Sequence, residues 1–157
     1  MSTTRVPPFV LSAGATSLQY ERWLHGRALA HRKRDRLRGG KTGLAAPALP
    51  MYKQAIHAAV LRCDGLDEYT GQELDWSLIG VWSNDEAQRR GAPYKREHRR
   101  KPTVDHQHGE DGRPLALDDL RICSWEVNDA KGDLSMAEFV RLCRLVIASE
   151  AHRIRQL

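Results

Sequence analysis

The chain has 157 residues, a net charge of +5 and ordinary hydrophobic content, which suits one small domain with a modest core. Its three cysteines, Cys63, Cys123 and Cys143, form no C-x-x-C pair; this argues against a disulfide framework and for a cytoplasmic setting. No apolar run approaches membrane length, and Val6-Pro7-Pro8-Phe9-Val10-Leu11 is too short and too broken by proline for a secretory leader.

Residues 1–16 have turn and loop composition and are expected to be loosely ordered. Thr16 or Ser17 can cap a helix over 18–38, with Glu21 near its start and a dense basic series near its end, as the helix dipole favours. Tyr20, Trp23, Leu24, Ala28 and His31 fall on one face at helical spacing, and Gly39-Gly40 is the expected stop. Residues 41–50 read as a linker. A second helix is expected over 51–63, with Tyr52, Ala55, Ile56, Ala59 and Val60 inward and Gly65 after its end.

Tyr69-Thr70-Gly71 reads as a turn leading to a short extended or helical piece over 76–82, and 83–101 as a polar, basic loop or irregular helix. Lys101-Pro102 introduces a strand over 103–106. A long loop follows, then a second strand over 120–125 and a helix starting near Val127. Ser135 and Glu138 have the spacing of a capping box for a last helix reaching about Arg153, with Phe139, Leu142, Cys143, Val146 and Ile147 as its apolar stripe. Cys123 and Cys143 read as small buried hydrophobes. Trp76, Trp82 and Trp125 read as core or loop anchors in preference to base-stacking platforms.

Charge is uneven along the chain. Residues 1–50 carry nine Lys and Arg against Glu21 and Asp35, and residues 86–101 carry seven against Glu86 and Glu97. The remainder is acidic. Basic blocks beside an acidic remainder point to phosphate contact at the blocks, with Arg27, Arg32, Lys33, Arg34, Arg36 and Arg38 in the first and Arg96, Arg99, Arg100 and Lys101 in the second. A solvated basic surface is the plainer reading, and the first helix can pack its aromatic face on the core while its far side stays charged.

The chemistry-bearing stretch is Val104-Asp105-His106, followed by Asn128-Asp129-Ala130-Lys131. Neighbours on a strand point to opposite faces, so Asp105 and His106 can serve different partners. A carboxylate and an amide oxygen suit a hard divalent cation that keeps several waters, and an imidazole near neutrality suits proton abstraction from water. Taken singly, Asp-His fits a surface turn and Asn128 fits a helix N-cap.

Together, residues 102–132 resemble the HNH nucleases, the group with the ββα-metal fold. Asp105-His106 match the family's first strand, and Asn128 with Lys131 match its helix. Asp118-Asp119-Leu120 stands where the family usually writes Asp-Asn-Leu, so the central Asn is replaced by Asp119. Asp105-His106-Gln107-His108, followed by Gly109 and Gly112, is similar to the resolvase-like members, and Tyr69-Thr70-Gly71 is similar to the turn that precedes the core in some members. The zinc knuckle of many members, built from two C-x-x-C pairs, has no counterpart, so no structural zinc is expected.

The resemblance implies an α+β fold, mostly helical, around a ββα-metal core at about 102–135, with residues 1–50 as a basic arm and 51–157 as the nuclease domain. It implies Mg²⁺ or Mn²⁺ held by Asp105 and Asn128, His106 as general base, and Asp119 either orienting His106 or joining the metal. Lys131 would reach a phosphate or stand as a solvated helix charge. The expected activity is phosphodiester hydrolysis in nucleic acid, DNA before RNA, with a homodimer possible and no membrane partner. The rival readings are a non-catalytic nucleic-acid-binding protein on a decayed HNH scaffold, and an interaction protein whose Asp-His-Asn is coincidental.

Overall fold

The computed structural model describes residues 5–42, 45–107 and 117–154, with the side chains at 38–42 and 154 outside the description. His108, Gly109, Gly112 and the Arg38 side chain therefore lie outside the described residues.

Residues 1–4 of the segment expected to be loosely ordered lie outside the described residues, and 5–16 are more ordered than their composition suggests. Helix α1 spans Pro8–Ser12, with proline in its first turn, where its missing N–H costs nothing. Val10 is fully buried, and the Phe9 ring lies 5.4 Å from that of Trp76. Helix α2, Ser17–Thr42, opens on a reciprocal cap: Gln19 N–H donates to Thr16 Oγ1 at 3.2 Å, and Thr16 N–H donates to Gln19 Oε1 at 2.8 Å. Its expected inward face is buried as spaced, and Asp35 extends that face by one turn. The helix runs through Gly39-Gly40 to Thr42 instead of stopping there; glycine weakens a helix interior by only about 1 kcal/mol.

Helix α3, Leu49–Cys63, buries Tyr52, Ile56, Ala59 and Val60 against α2, and Ala55 is partly buried. It ends where Asp64 turns left-handed at φ 48°, followed by Gly65 at φ 84°. A 3₁₀ turn at Trp76–Leu78 precedes the basic stretch, which two short helices, α4 (Asn84–Arg90) and α5 (Ala92–Glu97), largely fill.

Strands β1 (Pro102–His106) and β2 (Leu120–Ser124) pair antiparallel, with Val104 opposite Ile122, Asp105 opposite Arg121 and His106 opposite Leu120. A 3₁₀ turn at Leu117–Asp119 leads into β2, and Gln107 N–H donates to the Asp119 carbonyl at 3.1 Å, extending the ladder by one rung. Helix α6, Trp125–Lys131, follows β2 without a loop. The Ser124 hydroxyl caps it, accepting from Val127 N–H at 3.2 Å. The helix thus starts two residues earlier than the sequence suggests, and Asn128 sits inside it instead of at its cap. Helix α7, Met136–Ile154, opens on the expected box: Ser135 N–H donates to Glu138 Oε2 at 2.8 Å and Glu138 N–H to Ser135 Oγ at 3.3 Å.

Strand alternation sorts the hairpin into two faces. Val104, Leu120 and Ile122 enter the main core with Tyr20, Leu24 and Ala28 of α2 and Tyr52, Ile56 and Val60 of α3. Val10 of α1 joins the same cluster, so side chains from the basic N-terminal segment and from the hairpin share one core. The other face, with Thr103, Asp105 and Cys123, receives α6. The edge of β2 is covered by the turn after α3: Glu68 N–H donates to the Ile122 carbonyl at 2.9 Å, and Ile122 N–H donates back to Glu68 Oε2 at 2.6 Å. Buried Asp67 ties that turn down, accepting from Ser124, Tyr69 and Thr70 N–H groups. An edge strand capped in this way is shielded from pairing with another chain.

Cys123 is buried and Cys143 half-buried. The apolar stripe of α7 is less covered than its pattern suggests: Leu142, Val146 and Ile147 are exposed, as is Leu145 outside the stripe. Among the described residues no helix is long and apolar enough to cross a membrane. The architecture is α+β and mostly helical around a two-stranded antiparallel sheet.

Candidate active site

Asp105 and His106 diverge as strand neighbours must. Asp105 turns toward α6. Its Oδ2 accepts from the Tyr69 hydroxyl at 2.8 Å and pairs with Lys131 Nζ at 3.0 Å. The side chains of Asp105 and Lys131 are 7% and 0% exposed, which makes this an internal ion pair. Lys131 Nζ also donates to the His106 carbonyl at 3.2 Å. The ammonium therefore clamps the end of β1. It does not stand in solvent, so the reading of Lys131 as a solvated helix charge gives way to this one. The reason is geometric: Lys131 lies on the face of α6 that meets the hairpin, and its long stem reaches Asp105. Burial, then the charge of Asp105, pushes the Tyr69 hydroxyl well above its usual pKa, so Tyr69 remains a donor.

Asn128 also faces the hairpin, one turn before Lys131, and its Nδ2 donates to Thr103 Oγ1 at 3.4 Å. That contact turns the amide nitrogen toward Thr103, two residues before Asp105 on the same strand face. Asp105 and Asn128 thus supply a carboxylate and an amide oxygen on one side of the hairpin. This hard-oxygen donor set suits a cation that keeps most of its waters. Among the described residues no cluster of three His, Cys, Asp or Glu side chains is arranged to hold a metal, so a cation here would depend on the amide and on water for most of its ligands.

His106 turns the other way, toward α2. It is 7% exposed, and its Nε2 stands 3.8 Å from Oδ1 of Asp35. Asp35 is 1% exposed, and its Oδ2 accepts from the Tyr52 hydroxyl at 2.5 Å. The His31 ring centroid lies 5.0 Å from that of His106. Burial, then the neighbouring His106, Arg34 and Arg27, push His31 down to about 3, so it is a neutral imidazole under ordinary conditions. Asp119, the expected orienting residue, stands at the 3₁₀ turn next to Leu120, the register partner of His106.

Sequence reasoning missed Asp35, Tyr52 and Tyr69 as neighbours of the Asp-His pair. A signal for Asp35 was present: it continues the Leu24, Ala28, His31 face at helical spacing, and an acid on a core-facing stripe is uncommon without a partner. Tyr69 belonged to a turn already noted, but nothing in its local pattern shows the reach to Asp105.

The basic residues fall into two groups. Lys33, Arg34 and Arg36 on α2 and Arg96 and Arg99 at α5 are exposed. A groove of about 410 Å³ on α2 is lined by Leu29, Arg32, Lys33, Arg36 and Leu37. Arg27 and Arg32 are half-buried, and burial lowers the Arg27 pKa, with Arg34 adding to it. Two residues expected on phosphate are engaged within the chain. The Arg100 guanidinium donates to the Glu73 carbonyl at 2.6 and 2.8 Å. Lys101 Nζ lies 4.0 Å from the Trp82 ring centroid, where burial and then Arg27 push it down to about 8. Trp82 packs at 5.3 Å on Trp125, so both rings anchor this region, as expected. No protein-family model, curated protein or solved structure matches the chain.

Proposed function

We propose that this chain is a metal-dependent nucleic-acid endonuclease with an HNH-type ββα core, acting on DNA in preference to RNA. The observation that carries the reading is the order of parts around one hairpin. Asp105-His106 end β1, β2 returns antiparallel, and α6 follows directly, with Asn128 on the Asp105 face. Asp105 and Asn128 would hold Mg²⁺ or Mn²⁺, which when bound supplies electrophilic stabilisation to the phosphoryl oxygens. His106 takes the proton from the attacking water, because a neutral imidazole is the side chain best matched to that transfer near neutral pH. Lys131 and Tyr69 fix the Asp105 carboxylate, and Lys131 fixes the strand end that carries both residues. The exposed Lys33, Arg34, Arg36, Arg96 and Arg99 contact the phosphate backbone without reading sequence. Cutting both strands from one such site favours a homodimer or two successive nicks.

The test is a supercoiled-plasmid assay with Mg²⁺, Mn²⁺ or EDTA, run beside His106→Ala. Nicking that needs the metal and disappears in the variant is expected, with binding to DNA retained. Full cleavage by His106→Ala overturns the base assignment.

One observation favours a second reading, a non-catalytic nucleic-acid-binding protein on the same scaffold. The Asp105 carboxylate already has a cationic partner in Lys131. Salt-sensitive DNA binding with no cleavage under any metal would select that reading.

A further inference from the structure

We propose that Asp35 of α2, held by Tyr52, is a positioning residue for His106, so that the N-terminal basic helix forms part of the active site as well as a surface for phosphates. This rests on the nuclease reading for its consequence in catalysis, but not for its geometry.

A carboxylate inside a protein is unfavourable unless it has a partner. Asp35 is 1% exposed on the core face of α2, and its Oδ1 accepts no hydrogen bond among the described residues. That same oxygen faces His106 Nε2 at 3.8 Å. The other oxygen is fixed by the Tyr52 hydroxyl from α3 at 2.5 Å. The three groups come from three elements, α2, α3 and β1, whose packing on one core sets their separation. A carboxylate held this way at one ring nitrogen selects the tautomer with its proton on that nitrogen. It also fixes the plane of the ring and stabilises the cation formed when the ring takes a proton. His31 packs against the same imidazole, with ring centroids 5.0 Å apart. It braces the ring from the side without supplying a second carboxylate. Asp35 touches neither substrate nor cation in this scheme; it acts through His106.

The experiment is a comparison of Asp35→Asn, Tyr52→Phe and Asp119→Asn with the parent chain, by two readouts. The first is the ring ¹⁵N shifts of His106 in the metal-free protein, at a pH where the imidazole is neutral, with the signal identified by its loss in His106→Ala. The parent chain is expected to show the Nε2–H tautomer. Asp35→Asn is expected to shift toward a mixture, and Tyr52→Phe to shift part of the way. The second is plasmid cleavage, in which Asp35→Asn is expected to lower kcat about 10–100-fold with KM little changed, and Tyr52→Phe to fall between it and the parent. An unchanged tautomer in both Asp35→Asn and Tyr52→Phe overturns the proposal, whatever the activity. So does an unchanged kcat in a folded Asp35→Asn, or a drop seen only in Asp119→Asn. If the parent chain cleaves nothing, the nuclease reading fails by itself, and the ring shifts still decide whether Asp35 sets the His106 tautomer.

Discussion

Replacing Lys131 by methionine tests the internal ion pair most directly. The substitution keeps the length of the side chain and removes its charge, leaving the Asp105 carboxylate with the Tyr69 hydroxyl and the His106 carbonyl without its Lys131 donor. With side chains 0% and 7% exposed and 3.0 Å between the charged atoms, the pair is of the kind whose disruption from one side costs about 3–5 kcal/mol. In a chain of this size that is a fall in Tm of roughly 6–20 °C. Urea denaturation and thermal melting of Lys131→Met check it. The double variant Lys131→Met with Asp105→Asn removes both charges and should recover much of the loss, because no uncompensated charge then remains inside. A Lys131→Met protein within about 1 kcal/mol of the parent would show that the ammonium is not buried against Asp105, and the clamp on β1 would fall with it.

His31 predicts acid sensitivity. Its folded-state pKa of about 3 lies below its ordinary 6.5, so the unfolded chain binds the proton more readily. The stabilising effect of a neutral His31 is fully present above about pH 6.5 and is lost as pH falls toward 3, at no more than about 1.4 kcal/mol per pH unit. His31→Gln should flatten that limb of a stability-versus-pH curve measured by urea midpoints; an unchanged limb refutes the burial of a neutral imidazole there. On the surface, changing Lys33, Arg34 and Arg36 together to Gln should weaken DNA binding and make the log K against log salt slope shallower by about 2–3. Weaker binding with the same slope would place these residues away from the phosphates.

Much of the local structure was legible in the sequence, for reasons that act over a few residues. Leu24, Ala28 and His31 recur at the period of a helix, and Tyr52, Ile56, Ala59 and Val60 do likewise; all seven are buried. Ser135 and Glu138 stand at capping-box spacing and make those bonds. The alternation of a strand sent Asp105 and His106 to opposite faces before any partner was known. Where local rules misled, a partner outside the local window was responsible. Pro8-Phe9-Val10 has loop composition, yet it folds into α1 because Trp76 and the α2 face offer it somewhere to bury. The stripe of α7 has the pattern of a core helix, while Leu142, Val146 and Ile147 remain exposed, because a period marks a face without saying what covers it.

The sequence by itself determined the longer helices, the two strands and the divergence of Asp105 and His106 to opposite faces, and it singled out Asp105, His106 and Asn128 as candidates for hard-cation and proton-transfer chemistry. Only the tertiary structure decided what each of these side chains meets. Lys131 is 26 residues from Asp105 in the chain, Tyr69 is 36 residues from Asp105 and Asp35 is 71 residues from His106, far beyond any helical or strand period. Those pairings follow from two hairpin faces closed by different helices, α6 over Asp105 and α2 over His106. Burial then removes water as a competing partner, so an ammonium or a carboxylate that reads as surface charge in the sequence becomes a fixed part of the site.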